Sequence, residues 1–165
     1  MDDSWLRTLF ALLCLPAVLA VPVWLIAVAV KLLSAALPGR RPDWRADLLR
    51  WAVWMTGSGA LILYLLGAGA VAFAAHDASS GADSTPSHDC RDDLRADHLV
   101  GQTASYLPLR FDCVLDDGGT YPSSPAYAWI NAGVAALGLA TVALVVATGY
   151  GAERRARANA AGKER

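Results

Sequence analysis

The sequence predicts an all-α membrane protein: three transmembrane helices with a small disulfide-pinned extracytoplasmic loop that contains a short β-hairpin. Three observations carry that expectation. Residues 8–30, 51–75 and 127–152 contain no charged side chain, and each stretch exceeds the roughly 20 residues an α-helix needs to cross about 30 Å of hydrocarbon. The charges that remain lie between these stretches with opposite signs. Two of the three cysteines stand outside the apolar stretches, one of them in a run with strand-like alternation. At 55% hydrophobic and 18% charged, the 165-residue chain is more apolar than a soluble domain of its size.

Residues 1–7 open with Met-Asp-Asp-Ser-Trp, acidic apart from Arg7. A cleaved signal peptide wants a basic start, a shorter apolar core and a small-x-small cleavage site, so residues 8–30 are expected to stay as the first span. Leu13 is not the small residue that a lipoprotein site would place before Cys14. Cys14 reads instead as a small buried apolar side chain. Pro16 and Pro22 should kink this helix, with neighbouring groups satisfying the carbonyls they leave free.

Orientation follows from charge. Residues 31–50 carry Lys31, Arg40, Arg41, Arg45 and Arg50 against Asp43 and Asp47, net +3; residues 151–165 carry five basic against two acidic side chains, also +3. The stretch 76–125 has nine aspartates against Arg91, Arg95 and Arg110, net −6. Lys and Arg concentrate on the cytoplasmic side, which places 31–50 and 151–165 inside, and 1–7 and 76–125 outside, of a cytoplasmic membrane. Spans two and three are then 51–75 and 126–150. Trp5, Trp51, Trp54, Tyr127 and Trp129 fall at span ends, where amphipathic rings favour the headgroup layer. Ser124 and Pro125 suit the start of the third span. Arg41-Pro42-Asp43-Trp44 suits the opening of a short interfacial helix before the second.

The spans contain no ionisable residue at depth, which disfavours a proton-coupled pump or transporter. Asn131, near the outer end of span three, is expected to hydrogen-bond at the interface or across helices. Small residues are abundant: Gly57, Gly59, Gly67 and Gly69 in span two, and Ala136, Ala140, Ala143 and Ala147 along one face of span three. Such faces let helices approach closely. They serve packing within the chain, or docking of a partner membrane protein or a second copy.

In the loop, residues 76–89 are polar and poor in apolar side chains, as a linker is. Residues 92–99 could form one short helix. Leu109, Phe111, Cys113 and Leu115 then alternate with Arg110, Asp112 and Val114 before Asp116-Asp117-Gly118-Gly119, a strand running into a turn. So small a unit rarely holds itself without a staple. Cys90 and Cys113 are expected to form it, because the topology puts both on the oxidising side. A redox-active pair would more often be close in sequence. Asp89, Asp93 and Asp97 are spaced by four, with His88 and His98 nearby. Carboxylates and imidazoles in such a row are weak candidates for divalent-metal ligands, against the plainer reading of a solvated acidic face. Phosphate loops, nucleophile elbows, zinc-protease motifs and nucleic-acid signatures are lacking. No catalytic residue, cofactor or nucleic-acid partner is implied, and the lipid bilayer is the one partner the composition demands.

The order Tyr106-Leu107-Pro108-Leu109-Arg110, Cys113, Asp117-Gly118, then Trp129 and Asn131 entering a span resembles small multi-pass membrane proteins of high-GC Gram-positive bacteria, the actinobacterial type. The likeness covers roughly the last third of the chain. It implies an extracytoplasmic loop beside a terminal span and brings no activity with it. Two readings of function remain: a non-enzymatic accessory or partner-binding subunit acting through its extracytoplasmic loop, or a ligand- or metal-responsive site, sensor or enzyme, built on the Asp/His-rich segment.

Overall fold

The computed structural model describes residues 4–36, 44–80, 88–91 and 96–163. In chain order these form α1 (Ser4–Ala36), α2 (Trp44–Asp77), the single-turn α3 (His88–Arg91), a 3-10 turn (Ala96–His98), β1 (Leu99–Tyr106), β2 (Leu109–Leu115), β3 (Thr120–Pro122) and α4 (Ala126–Lys163). The three long helices contain stretches long and apolar enough to cross a membrane: Thr8–Ala36, Trp44–Asp77 and Ala126–Arg157. Leu12, Leu15, Leu19, Val23 and Ile26 of α1 and Leu139, Val142 and Val146 of α4 are exposed, as lipid-facing side chains are. α1 is assigned as unbroken helix through Pro16 and Pro22.

The expected hairpin is part of something larger, a three-stranded antiparallel sheet in the order β1-β2-β3. β2 buries Leu109, Phe111, Cys113 and Leu115 and turns the residues between them outward, the period-2 pattern of a half-buried strand. It pairs with β1 from Tyr106↔Leu109 to Leu99↔Leu115, with an irregularity between Leu99 and Gly101. It pairs with β3 at Asp112↔Pro122, Cys113↔Tyr121 and Val114↔Thr120. The β2–β3 turn closes with Leu115 N–H donating to Gly119 C=O at 2.9 Å and Gly119 N–H to Asp117 Oδ1 at 2.7 Å. Gly118 there has φ +81°, a conformation that costs a side-chain-bearing residue free energy and glycine little. The two-residue turn between β1 and β2 is Leu107-Pro108, joined by a cis peptide bond.

The helix expected over residues 92–99 does not form in its described part. Ala96–His98 make one 3-10 turn, and Leu99 already belongs to β1. Val100 and Thr103 favour extended chain, and pairing with β2 fixes that choice. Asp93, and Arg41, Pro42 and Asp43 before α2, lie outside the described residues, as do the side chains of His88 and Asp89.

The chain divides into two compact units. One joins the chain up to Val21 with Ile62–Val134; the other joins Pro22–Leu61 with Ala135–Arg165. In the first, Ala78, Cys90, Phe111, Cys113, Leu115 and Tyr121 form one buried cluster, and Ala68, Val71 and Leu109 form a second, backed by Phe10, Tyr64, Tyr106 and Ile130. In the second, Trp24 Nε1–H donates to Met55 C=O and Ser58 Oγ, both at 3.1 Å, Thr141 Oγ1 donates to Thr56 Oγ1 at 2.9 Å, and Lys31 Nζ sits 2.7 Å from Asp47 Oδ2.

Candidate functional site

The disulfide-closed sheet is the part of the chain with defined polar geometry. Cys90 of α3 and Cys113 of β2 are joined, with their Cα atoms 5.9 Å apart, inside the usual span for a disulfide. Both are fully buried. Cys113 lies on the inward face because it shares the parity of Leu109, Phe111 and Leu115. The bridge therefore ties the start of the loop into the same core that β2 fills. Tyr121 of β3 completes the tie: its hydroxyl donates to Cys90 C=O at 2.9 Å, out of contact with solvent. Ser123 N–H donates to Phe111 C=O at 3.0 Å, which continues the pairing of β2 past the end of β3.

Three contacts fix the sheet to helices. Gln102 of β1 donates from Nε2 to Ala78 C=O at 3.2 Å, one of the carbonyls that the end of α2 leaves without an intrahelical donor. Ser79 and Ser80 hydroxyls cover His76 C=O in the same turn. Farther back along α2, the Tyr64 hydroxyl donates to Tyr106 C=O at 3.1 Å. Phe10 of α1 stacks on the Tyr106 ring, centroids 4.7 Å apart, and meets Tyr64 edge-on. The third contact is the most specific. Asn131 of α4 accepts from Leu109 N–H at 3.1 Å through Oδ1 and donates from Nδ2 to Leu109 C=O at 2.9 Å. One carboxamide thus satisfies both backbone groups of one strand residue, as a neighbouring strand would. The expected hydrogen bond of Asn131 exists, and its partner is a strand instead of another helix.

Close packing accompanies these bonds. A Cβ on Gly67 would lie 2.6 Å from Leu109 Cδ1 and 2.9 Å from Ile130 Cγ2; one on Gly69 would lie 2.5 Å from Cys14 Sγ and 2.6 Å from Cys14 Cβ. These two glycines let Leu109 and Cys14 reach the helix backbone. Ser124 caps α4, its Oγ accepting from Ala126 N–H at 3.2 Å.

The Asp/His-rich residues are only partly gathered. His98 Nδ1 lies 3.1 Å from Asp116 Oδ2, with both side chains exposed, and Asp116 N–H also donates to His98 C=O at 2.9 Å. The hydrogen bond that His98 donates to the Asp116 carboxylate raises the His98 pKa above its ordinary value, helped by the charges of Asp116, Asp97 and Asp117. Asp97 is exposed beside it. Among the described residues no three His, Cys, Asp or Glu side chains come together as metal ligands do.

The described residues include two open grooves. One, of about 430 Å³, runs beside β2, β3 and the start of α4 and is lined by Arg110, Asp112, Thr120, Ser124 and Asn131 among others. The other, of about 300 Å³, lies in the second unit between Arg50 of α2 and Thr148 and Arg155 of α4. Ser80 Oγ lies 3.4 Å from both ring nitrogens of His76, but both side chains are exposed and the hydroxyl donates to His76 C=O at 2.6 Å, so the pair reads as the end of a helix and not as a base-activated nucleophile.

The sequence singles out Cys90, Cys113 and Asn131 and shows Tyr64 as a polar side chain in an apolar helix, but gives no sign of the roles of Gln102 and Tyr121. The Leu107-Pro108 dipeptide, followed by the alternating β2, was the available sign of a second turn and hence of β1. Comparison of the chain with protein-family models, with curated proteins and with solved structures gave no match in any of the three.

Proposed function

We propose that the protein is a non-enzymatic accessory or partner-binding subunit of a bacterial cytoplasmic membrane, with its sheet on the extracytoplasmic side as the recognition surface. The amino terminus is then outside and the carboxyl terminus inside. The charge distribution supports this orientation: net +3 on each of residues 31–50 and 151–165 against −6 on residues 76–125. A disulfide on the same side as the acidic loop is consistent with an oxidising compartment.

The observation that carries the reading is how firmly the sheet is held. Gln102, Tyr64 and Asn131 fix it to the long helices and the disulfide closes the loop on it, while Val100, Thr103 and Ala104 of β1 stay exposed. Among the described residues no further strand pairs with β1. A rigid platform loses little conformational entropy when a partner docks. The small-residue face of α4, with Ala136, Ala143 and Ala147 exposed, supplies a second surface for a partner subunit or another copy.

Photocrosslinking in native membranes tests the reading. A benzophenone side chain at Thr103 is expected to give one discrete protein adduct, lost when Cys90 and Cys113 are both changed to Ala. A probe at Val142 reports contacts along α4. No protein adduct at Thr103, or one indifferent to the disulfide, removes the sheet as the recognition surface. Orientation is tested with Ser80→Cys and an impermeant maleimide: labelling in intact cells is expected, and labelling only after lysis reverses the topology.

A further inference from the structure

The β1–β2 hairpin is polar at one end and apolar at the other. At the end where Leu99 pairs with Leu115 stand Asp97, His98, Asp116 and Asp117. Between Leu99 and Leu109 the chain carries no charge at all. The turn at the far end consists of Leu107 and Pro108, and Leu107 is 86% exposed. The two ends are about 23 Å apart at the rise of an extended chain.

The apolar end does not stand clear of the helices. Asn131, which clamps Leu109, lies five residues inside α4, about 7 Å along its axis. Tyr64, which bonds Tyr106, lies thirteen residues before the end of α2, about 20 Å along its axis. Trp129, 79% exposed, stands between the start of α4 and Asn131, where a tryptophan marks the headgroup layer. Non-helical backbone survives at membrane depth only where protein groups satisfy it. Tyr106 C=O and both backbone groups of Leu109, which flank the turn, have such groups.

The geometry points to a hairpin whose Leu107-Pro108 turn sits at the headgroup edge of the lipid leaflet, with the Leu107 side chain among the acyl chains and the turn's own backbone groups in reach of interfacial water, while its Asp116-Asp117 end stays in bulk water. The occupant of the exposed turn is phospholipid acyl chain. Asn131 and Tyr64, the polar side chains that the apolar helices carry here, are present to make that immersion tolerable. This inference rests on the helices being membrane spans, as in the proposed function.

Depth-dependent quenching on the full chain tests it. In a Cys14→Ala background, with the Cys90–Cys113 bridge left oxidised, single cysteines at Leu107, Asp117 and Val142 carry an environment-sensitive fluorophore in phosphatidylcholine vesicles. Leu107, Asp117 and Val142 are all exposed; the Asp117 label gives up the bond from Gly119 N–H, and the turn keeps the backbone bonds of Leu115 with Gly118 and Gly119. The Leu107 label is expected to lose its fluorescence to phospholipid brominated on the acyl chains and to resist aqueous iodide, as Val142 does, with Asp117 behaving oppositely. If Leu107 follows Asp117 while Val142 stays lipid-quenched, the immersed turn is overturned and the spans stand. If Val142 is also quenched by iodide, the spans and the immersed turn fall together.

Discussion

The two units are stabilised in different ways. Every fully buried apolar side chain among the described residues, from Ala17 and Val71 to Phe111 and Tyr121, belongs to the unit that holds the sheet. The unit of Pro22–Leu61 and Ala135–Arg165 is instead held by Trp24 on Met55 and Ser58, by Thr56 with Thr141, and by Lys31 with Asp47. Apolar burial stabilises only when the alternative is water. Between helices in lipid it gives no net gain, and close packing with a few hydrogen bonds takes over. The sheet instead has a core of the aqueous kind and a covalent staple. The comparison predicts that insults to the sheet damage one unit and spare the other.

The largest effect is expected from the disulfide. Replacing Cys90 and Cys113 together by Ala releases a 23-residue separation, which costs about 3 kcal/mol in the chain-entropy model. Hydrogen exchange in detergent micelles should show amides of β1, β2 and β3 losing protection, while those around Thr56 and Thr141 keep theirs. Equal loss in both units would show that the two are one cooperative structure. Asn131→Leu comes next. It leaves Leu109 N–H and C=O without their partners, at about 1–3 kcal/mol for each group left unsatisfied away from water. The Leu109 amide should then exchange faster, and thermal unfolding of the sheet should begin earlier. An unchanged Leu109 amide would mean that the clamp contributes nothing.

Much of this division was legible in the sequence, and the misses have physical causes. Three charge-free runs longer than a membrane's thickness announce the helices, and the parity of Leu109, Phe111, Cys113 and Leu115 announces β2 and the buried side of the bridge. β1 is harder. Leu-Val-Gly-Gln-Thr-Ala-Ser-Tyr buries no side chain fully and so shows no apolar alternation. Its partner β2 holds it, and a non-local partner leaves no local signal. Asn131 was conspicuous as an amide in an apolar helix, yet its partner is a backbone 22 positions away. Sequence can reveal that such a group needs a partner, but not which one.

Glycine substitutions sharpen the contrast between the units. Gly69→Ala places a methyl against Cys14 Cβ and Sγ, near the helix crossing where neither backbone yields easily. Overpacking of that kind costs about 1–3 kcal/mol. Gly138→Ala meets nothing within 4 Å and gains helix propensity of up to about 1 kcal/mol. Thermal unfolding in micelles should move down for the first and up or not at all for the second. Movement in the same direction would show that contact at Gly69 is not what sets its cost. In the second unit Thr141→Val removes the hydrogen bond to Thr56, and bonds of this type between spanning helices are worth only about 0.6 kcal/mol. A loss as large as that from Asn131→Leu would erase the distinction between the units.

The smallest effect is expected from pH, at the water-facing end of the sheet. The hydrogen bond to Asp116 raises the His98 pKa, with the Asp116, Asp97 and Asp117 charges adding to it. A raised imidazole pKa contributes stability that is fully present below its unfolded value and is lost as pH rises through the folded one. The pair therefore tightens the end of β1 in mild acid and releases it towards neutral and alkaline pH. The backbone bond from Asp116 N–H to His98 C=O, 2.9 Å long, does not titrate and keeps that end closed throughout. A proton NMR titration should find the His98 midpoint above the ordinary histidine value, falling back towards it in Asp116→Asn. If the midpoint is the same in both, the carboxylate does not hold the ring, and the turn is closed by its backbone alone.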